Sequence, residues 1–169
     1  DNVQMAVAIA AASIVPDRPR VTLQLYKTNL THDMVVSSGV FALNFLKSAQ
    51  IDLVGDFGLV SGRDEDKLEG VAKTSGESGS PLLTDCFGYL DCRVINAMDG
   101  GDMTCFLAEV LGGKTMAEGE PLWWRDARRE MSMEWLERWE KKQSSEIETS
   151  RVTMGKIIHT PWQSNDRKL

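Results

Sequence analysis

The residues able to do chemistry gather where one apolar–polar alternation ends. Lys27-Thr28-Asn29-Leu30-Thr31-His32-Asp33 puts a cation, an amide and hydroxyls in one short stretch. Thr31 is placed to N-cap a helix over Asp33–Ser38, with Gly39 as its terminator. Backbone N–H groups at such a start, with Lys27 beside them, suit an anionic phosphate. A solvated turn ahead of a capped helix accounts for the same residues, and the stretch alone leaves both readings open. A second polar set, Ser61-Gly62-Arg63-Asp64-Glu65-Asp66-Lys67, offers a hydroxyl, a glycine amide and a guanidinium fork. It reads equally as a phosphate-enclosing loop or an exposed, capped turn.

The rest of the polar inventory excludes several reaction classes. His32 and His159 are the only histidines, with no HExxH and no Cys/His cluster, so no metal ligands are assigned. No nucleophile elbow occurs. Asp64 and Asp66 lie in a charge-rich loop, whereas acid–base carboxyl pairs need one member in a dry site. Cys86, Cys92 and Cys105 are odd in number and form no CxxC, which suits a reducing compartment and a cytoplasmic protein. Cys92 and Cys105 read as small hydrophobes, because a reactive thiol needs an adjacent base or cation. Thr74–Pro81 is rich in glycine but lacks the Lys-Ser/Thr of a phosphate loop, and reads as a flexible connection. No catalytic side chain is assigned, and hard chemistry is left to a bound cofactor.

The elements that must position the corner follow from periodicity. Asn2–Val15 is alanine-rich, and the Pro16-Asp17-Arg18-Pro19-Arg20 turn after it argues for strand over helix. Val21, Leu23 and Leu25 alternate with Thr22, Gln24 and Tyr26 as in a half-buried strand. Val40–Leu46 predicts a strand with Phe41, Leu43 and Phe45 on one face, and Ala49–Phe57 a helix ended by Gly58. Gly88–Leu111 predicts a hairpin turning at Asp99-Gly100-Gly101. Pro121–Glu146 predicts helix, with Met131, Trp135 and Trp139 on one stripe and mixed charges forming a solvated face. Its four tryptophans, Trp123, Trp124, Trp135 and Trp139, either complete the core or anchor a homodimer. Arg151–Trp162 predicts a last strand, with His159 near its end.

With 169 residues, 42% hydrophobic and 26% charged, the whole chain reads as a single domain with a real core. A net charge of −6 argues against general nucleic-acid affinity. The most apolar run, Met5–Val15, is about half the length of a membrane span and lacks a basic leader segment.

Taken together, several stretches resemble the flavin reductase-like family. They are the apolar N-terminal stretch leading to Pro19-Arg20-Val21, then Lys27-x-Asn29-x-Thr31-His32-Asp33, Gly39-x-Phe41-Ala42-x-Asn44, Phe57-Gly58, Ser61-Gly62-Arg63-Asp64-x-Asp66-Lys67, Gly88-Tyr89-Leu90-x-Cys92 and Gly101-Asp102…Leu107-x-Glu109-Val110. They run from about residue 2 to 111, closest to the branch holding stand-alone flavin reductases and those fused to rubredoxin. The resemblance implies a mainly β (α+β) fold, a Greek-key antiparallel FMN-binding split β-barrel with flanking helices and a C-terminal helix. Relatives usually carry a strand ahead of the position of Asn2, so it implies that this chain begins inside the domain. It also implies FMN along the first strand, facing Ala10, Ala11, Ala12 and Ser13. The phosphate would lie at Lys27, Asn29, Leu30 and Thr31, enclosed by Ser61, Gly62 and Arg63, with His159 approaching the ring. Relatives often carry Ser, Thr or Asn where this chain has alanine, which leaves mainly backbone contacts there. The activity implied is hydride transfer from NADH or NADPH, as a transient donor, to flavin in a homodimer with FMN at the interface. An FMN electron carrier reduced by a protein partner, and a non-catalytic ligand-binding barrel, are the alternatives.

Overall fold

The computed structural model describes residues 7–9 and 15–155. A five-stranded antiparallel sheet, curled on itself, carries the fold in the order β1-β2-β7-β6-β3. Its strands are β1 (Val7–Ile9), β2 (Arg20–Tyr26), β3 (Val40–Phe45), β6 (Gly88–Asp99) and β7 (Met103–Thr115). The hairpin β4 (Lys73–Ser75) and β5 (Pro81–Leu83) stands apart. Strands β2 and β3 are consecutive in that sheet's chain order, yet they flank the β6–β7 hairpin from opposite sides, which is a Greek-key arrangement.

The alternation of β2 does what its period dictates. Val21, Leu23 and Leu25 turn inward and are at most 7% exposed, while β7 pairs along the whole strand, Leu23 facing Phe106. Helix α1 (Leu30–Ser38) closes one end of the sheet through buried Val35 and stops at Gly39, whose φ of 70° is the left-handed cap a side chain resists. These residues, with Phe41, Cys92 and Ala108, form the main core. In β6 the pairing register shifts between Asp91 and Cys92, and both side chains turn inward as a result.

Helices α2 (Ile51–Leu59), α3 (Trp124–Glu130) and α4 (Met133–Met154) pack beside the barrel. The expected stripe is present: Met131, Trp135 and Trp139 join Val54 and Ala127 in one cluster, and Trp124 stacks on Trp139 at 5.0 Å. The single helix expected over Pro121–Glu146 is broken at Met131-Ser132, where the Ser132 hydroxyl accepts from the Trp135 N–H and starts α4 afresh.

Four further expectations need correction. Helix α1 begins at Leu30, with Asn29 as its N-cap and no side-chain capping bond, so Thr31 lies inside the first turn. Gly58 lies within α2, which runs on to Leu59 because Lys67 and Lys142 hold its last carbonyls. Thr74–Pro81 is an ordered hairpin: buried Asp91 accepts from the Ser78 N–H at 2.9 Å and from the Ser78 hydroxyl. The strand expected from Arg151 is helix through Met154, since no Gly or Pro interrupts the chain before Gly155. The rest of that expected strand, including His159, lies outside the described residues, as do Ala10, Ala11, Ala12 and Ser13.

Candidate functional site

The corner after β2 is held by a relay that begins in the core. His32, 9% exposed, has its Nε2 2.9 Å from the Thr104 hydroxyl on β7 and its Nδ1 3.4 Å from Asp33. The other oxygen of Asp33 accepts from the Arg63 guanidinium at 2.8 Å, and Arg63 also donates to the Thr28 carbonyl at 3.3 Å. The two polar stretches, separated by about thirty residues of sequence, therefore meet through one arginine. Ser61 accepts from the Arg63 N–H at 3.2 Å and fixes the tip of that loop.

Two atoms at this corner lack what folding normally provides. The Thr28 and Thr31 hydroxyls are buried with no hydrogen-bond partner among the described residues. Leaving such a group unsatisfied costs about 1–3 kcal/mol. At the same place the His32 N–H donates to the Asn29 carbonyl at 3.0 Å, while the N–H groups of Leu30 and Thr31 precede the first intrahelical acceptor. Two unpartnered hydroxyls, a helix start and a guanidinium form a donor set that fits the oxygens of a phosphate group.

Thr28, Asn29, Ser61 and Arg63 line one wall of a cleft of about 590 Å³. Helix α4 supplies the other wall with Arg138, Lys141, Ser145 and Thr149. A second hollow, about 390 Å³, adjoins it and is faced by Tyr26, Phe57, Trp124, Trp139 and Met154. Asn29, Lys142 and Glu146 border both, so the two are neighbouring parts of one surface. Lys142 is a fixed post between them, donating to the Gly58 carbonyl at 2.5 Å with Glu146 3.9 Å away.

Lys27 is placed elsewhere. Its ammonium donates to both oxygens of Asp99 at 2.8 and 2.9 Å, and its backbone N–H donates to the Asp102 carbonyl. It ties the α1 loop to the β6–β7 turn and does not line the cleft. That hydrogen bond, assisted by the Gly101 N–H, holds the Asp99 carboxyl below its ordinary range. Leu30 opens α1, and Gly62 sits between Ser61 and Arg63 in the enclosing loop.

Burial settles the thiols. The Cys92 thiol is pushed up to about 12, by burial first and Asp91 second, and Cys86 is raised mainly by burial. Both are inert at neutral pH. Lys67, 8% exposed, donates to the Phe57 carbonyl at 2.7 Å, and burial with nearby Lys142 lowers it to about 8. Among the described residues no group of His, Cys, Asp and Glu is placed to hold a metal ion.

Arg138 and Lys141, expected on a solvated face, line the cleft instead. The signal that finds them is their spacing: positions 138, 141, 145 and 149 recur at three- and four-residue steps on one side of the helix.

A family model described as "Flavin reductase like domain" matches residues 1–132. A high molecular weight rubredoxin of Moorella thermoacetica is 30% identical over 124 residues, which are 72% of this chain and 54% of the relative. An FMN reductase (NADH) RutF 2 of Rhizobium rhizogenes is 30% identical over 121 residues, 72% of this chain and 69% of that one. A solved flavoredoxin of Desulfovibrio vulgaris (Miyazaki F) superposes with a TM-score of 0.60 at 22% identity, covering 68% of this chain and 62% of its own. The fold is thus the split barrel that the resemblance implied. The chain spans about half the length of several curated relatives it matches. The family match ends at Ser132, so all of α4 lies beyond it.

Proposed function

This chain belongs to the flavin reductase like domain family, and on that footing we propose that it binds FMN and catalyses NAD(P)H-dependent reduction of flavin. The observation carrying this reading is the pair of buried, unpartnered hydroxyls of Thr28 and Thr31 at the start of α1. They lie beside an arginine whose position is fixed from the core through His32 and Asp33. Thr28, Thr31, the Asn29 side chain, the Leu30 amide, Ser61, Gly62 and Arg63 hold the phosphate. Lys27, bound to Asp99, positions the loop. The ring system is assigned to Ala10, Ala11, Ala12, Ser13 and His159 on the resemblance alone, and all five lie outside the described residues. When bound, the flavin supplies the hydride-accepting chemistry, and the protein supplies position and charge. The relatives named FMN reductase (NADH) and flavoredoxin support this reading.

The protein acts as a homodimer with FMN at the interface. Trp123, 53% exposed, and Met133, 72% exposed, give a second copy apolar surface to cover. It works in the cytoplasm and binds neither nucleic acid nor membrane. Among the described residues, no helix is long and apolar enough to cross a bilayer.

Anaerobic mixing of the FMN-loaded chain with NADH or NADPH tests the activity. Rapid bleaching of the flavin band is expected, and bleaching by dithionite alone would overturn it. A second reading, electron transfer to a protein partner, is favoured by the relative named a rubredoxin, which extends well beyond the matched segment. Fast, salt-sensitive exchange with a rubredoxin and slow reduction by nicotinamides would select it.

A further inference from the structure

Helix α4 has no buried residue, yet its chemistry is uneven around its axis. Arg138, Lys141, Ser145 and Thr149 share the side that lines the cleft. Neither Arg138 nor Lys141 has a carboxylate within ion-pair distance among the described residues, although the chain carries a net charge of −6. Like charges three residues apart on one helix face repel, and an anion between them removes that cost. The opposite wall already provides a phosphate's complement of donors in Thr28, Ser61 and Arg63. A cleft of about 590 Å³ is in the range that holds a drug-sized ligand, far more than one phosphate.

The adjoining hollow explains the extra room. Tyr26, Trp124 and Trp139 offer aromatic surface there, and Trp124 lies at the edge with 42% exposure. Flat heteroaromatic rings stack on such surfaces with little demand for specific hydrogen bonds. Tyr26 and Trp124 lie within the segment that the family model matches, whereas Trp139, Arg138 and Lys141 are supplied by α4 beyond it.

We propose that α4 forms a second phosphate subsite, at Arg138 and Lys141, with the aromatic hollow as the seat of an adenine ring. The cleft thereby takes an adenine dinucleotide across both walls. This rests on the reading that the barrel wall holds a flavin phosphate. The dinucleotide comes from one of two sources, FAD as the flavin itself or NADPH as the donor beside bound FMN.

The test is a set of titrations at constant ionic strength, comparing the unaltered chain with the double variant Arg138→Gln, Lys141→Gln. FMN and FAD are followed by flavin fluorescence, and NADP⁺ is titrated into the FMN-loaded chain. Loss of the second phosphate's charge-assisted bonds weakens the dinucleotide about tenfold or more. A tenfold loss for FAD, with FMN changed less than about twofold, supports the subsite and names FAD as the source. A tenfold loss for NADP⁺, with FAD and FMN alike unaffected, supports it and names the nicotinamide donor. Equal changes for all ligands, or none, overturn it. Quenching of tryptophan fluorescence by ADP, absent in the variant, is the independent signature of the adenine seat. A chain that binds neither flavin overturns the flavin reading, and ADP quenching then shows separately whether the α4 subsite stands.

Discussion

The two walls of the cleft are built in opposite ways. The barrel wall, residues 28–31 and 61–63, is anchored through His32 to Thr104 on β7, deep in the sheet. The helical wall, α4, rests on the protein through Trp135, Leu136 and Trp139 and presents its cations on an exposed face. The first wall lies within the segment matched by the family and the second beyond it. Preorganised donors belong to the part of the fold that cannot move without disrupting the core, and adjustable charge belongs to an element packed against it.

The comparison is broken most directly by removing the anchor of the first wall. Arg63→Ala deletes the bonds to Asp33 and the Thr28 carbonyl and takes a cation from the cleft. A loss of about 1.5–3 kcal/mol, roughly 10- to 100-fold in FMN affinity, is expected by fluorescence titration. An unchanged affinity would place the phosphate elsewhere.

Unseating the second wall comes next in size. A Cβ at Gly55 would meet the Trp135 ring at 2.7 Å, so Gly55→Ala must displace the ring through which α4 is seated. A cost of about 1–3 kcal/mol is expected in urea unfolding. FMN affinity should survive, because Gly55 touches none of the barrel wall.

Lys67 tests the base on which both walls stand, since it and Lys142 hold the end of α2. Its folded value of about 8 lies below the ordinary 10.5. Between those limits the unfolded chain keeps a proton that the folded chain has released, so stability rises with pH across that window. Below about 8 both states are charged and the burial penalty is constant. Urea midpoints at the two ends of the window should show this rise, and Lys67→Met should lack it.

The smallest effect belongs to Lys27. Its partner Asp99 is exposed, and exposed ion pairs contribute little. Lys27→Ala should change FMN affinity by less than about fivefold. A larger loss would put this ammonium on the phosphate after all.

What the sequence disclosed was local in origin. The β2 alternation, the Gly39 stop and the Trp135–Trp139 stripe each depend on neighbours within a few residues, and each is found in the structure. The sequence offered residues 61–63 as a phosphate-enclosing loop, but the pairing of Arg63 with Asp33 was hidden, because nothing local brings those loops together. The orientation of Lys27 was hidden because its partner lies 72 residues away. Thr31 looked like a cap by type, but the extended backbone at Asn29 (φ −87°, ψ 135°) puts the cap two residues earlier. Arg138 and Lys141 were hidden because a solvated helix face and a ligand-facing one read alike until the opposite wall is known.

The central claim is that the corner of Thr28, Thr31 and Arg63 recognises a phosphate. Comparing the affinities of FMN and riboflavin for the purified chain tests this most directly, since the two differ only in that group. The account predicts FMN tighter by at least about tenfold, with the gap collapsing in Arg63→Ala. Equal affinities, or a gap untouched by that substitution, would contradict it.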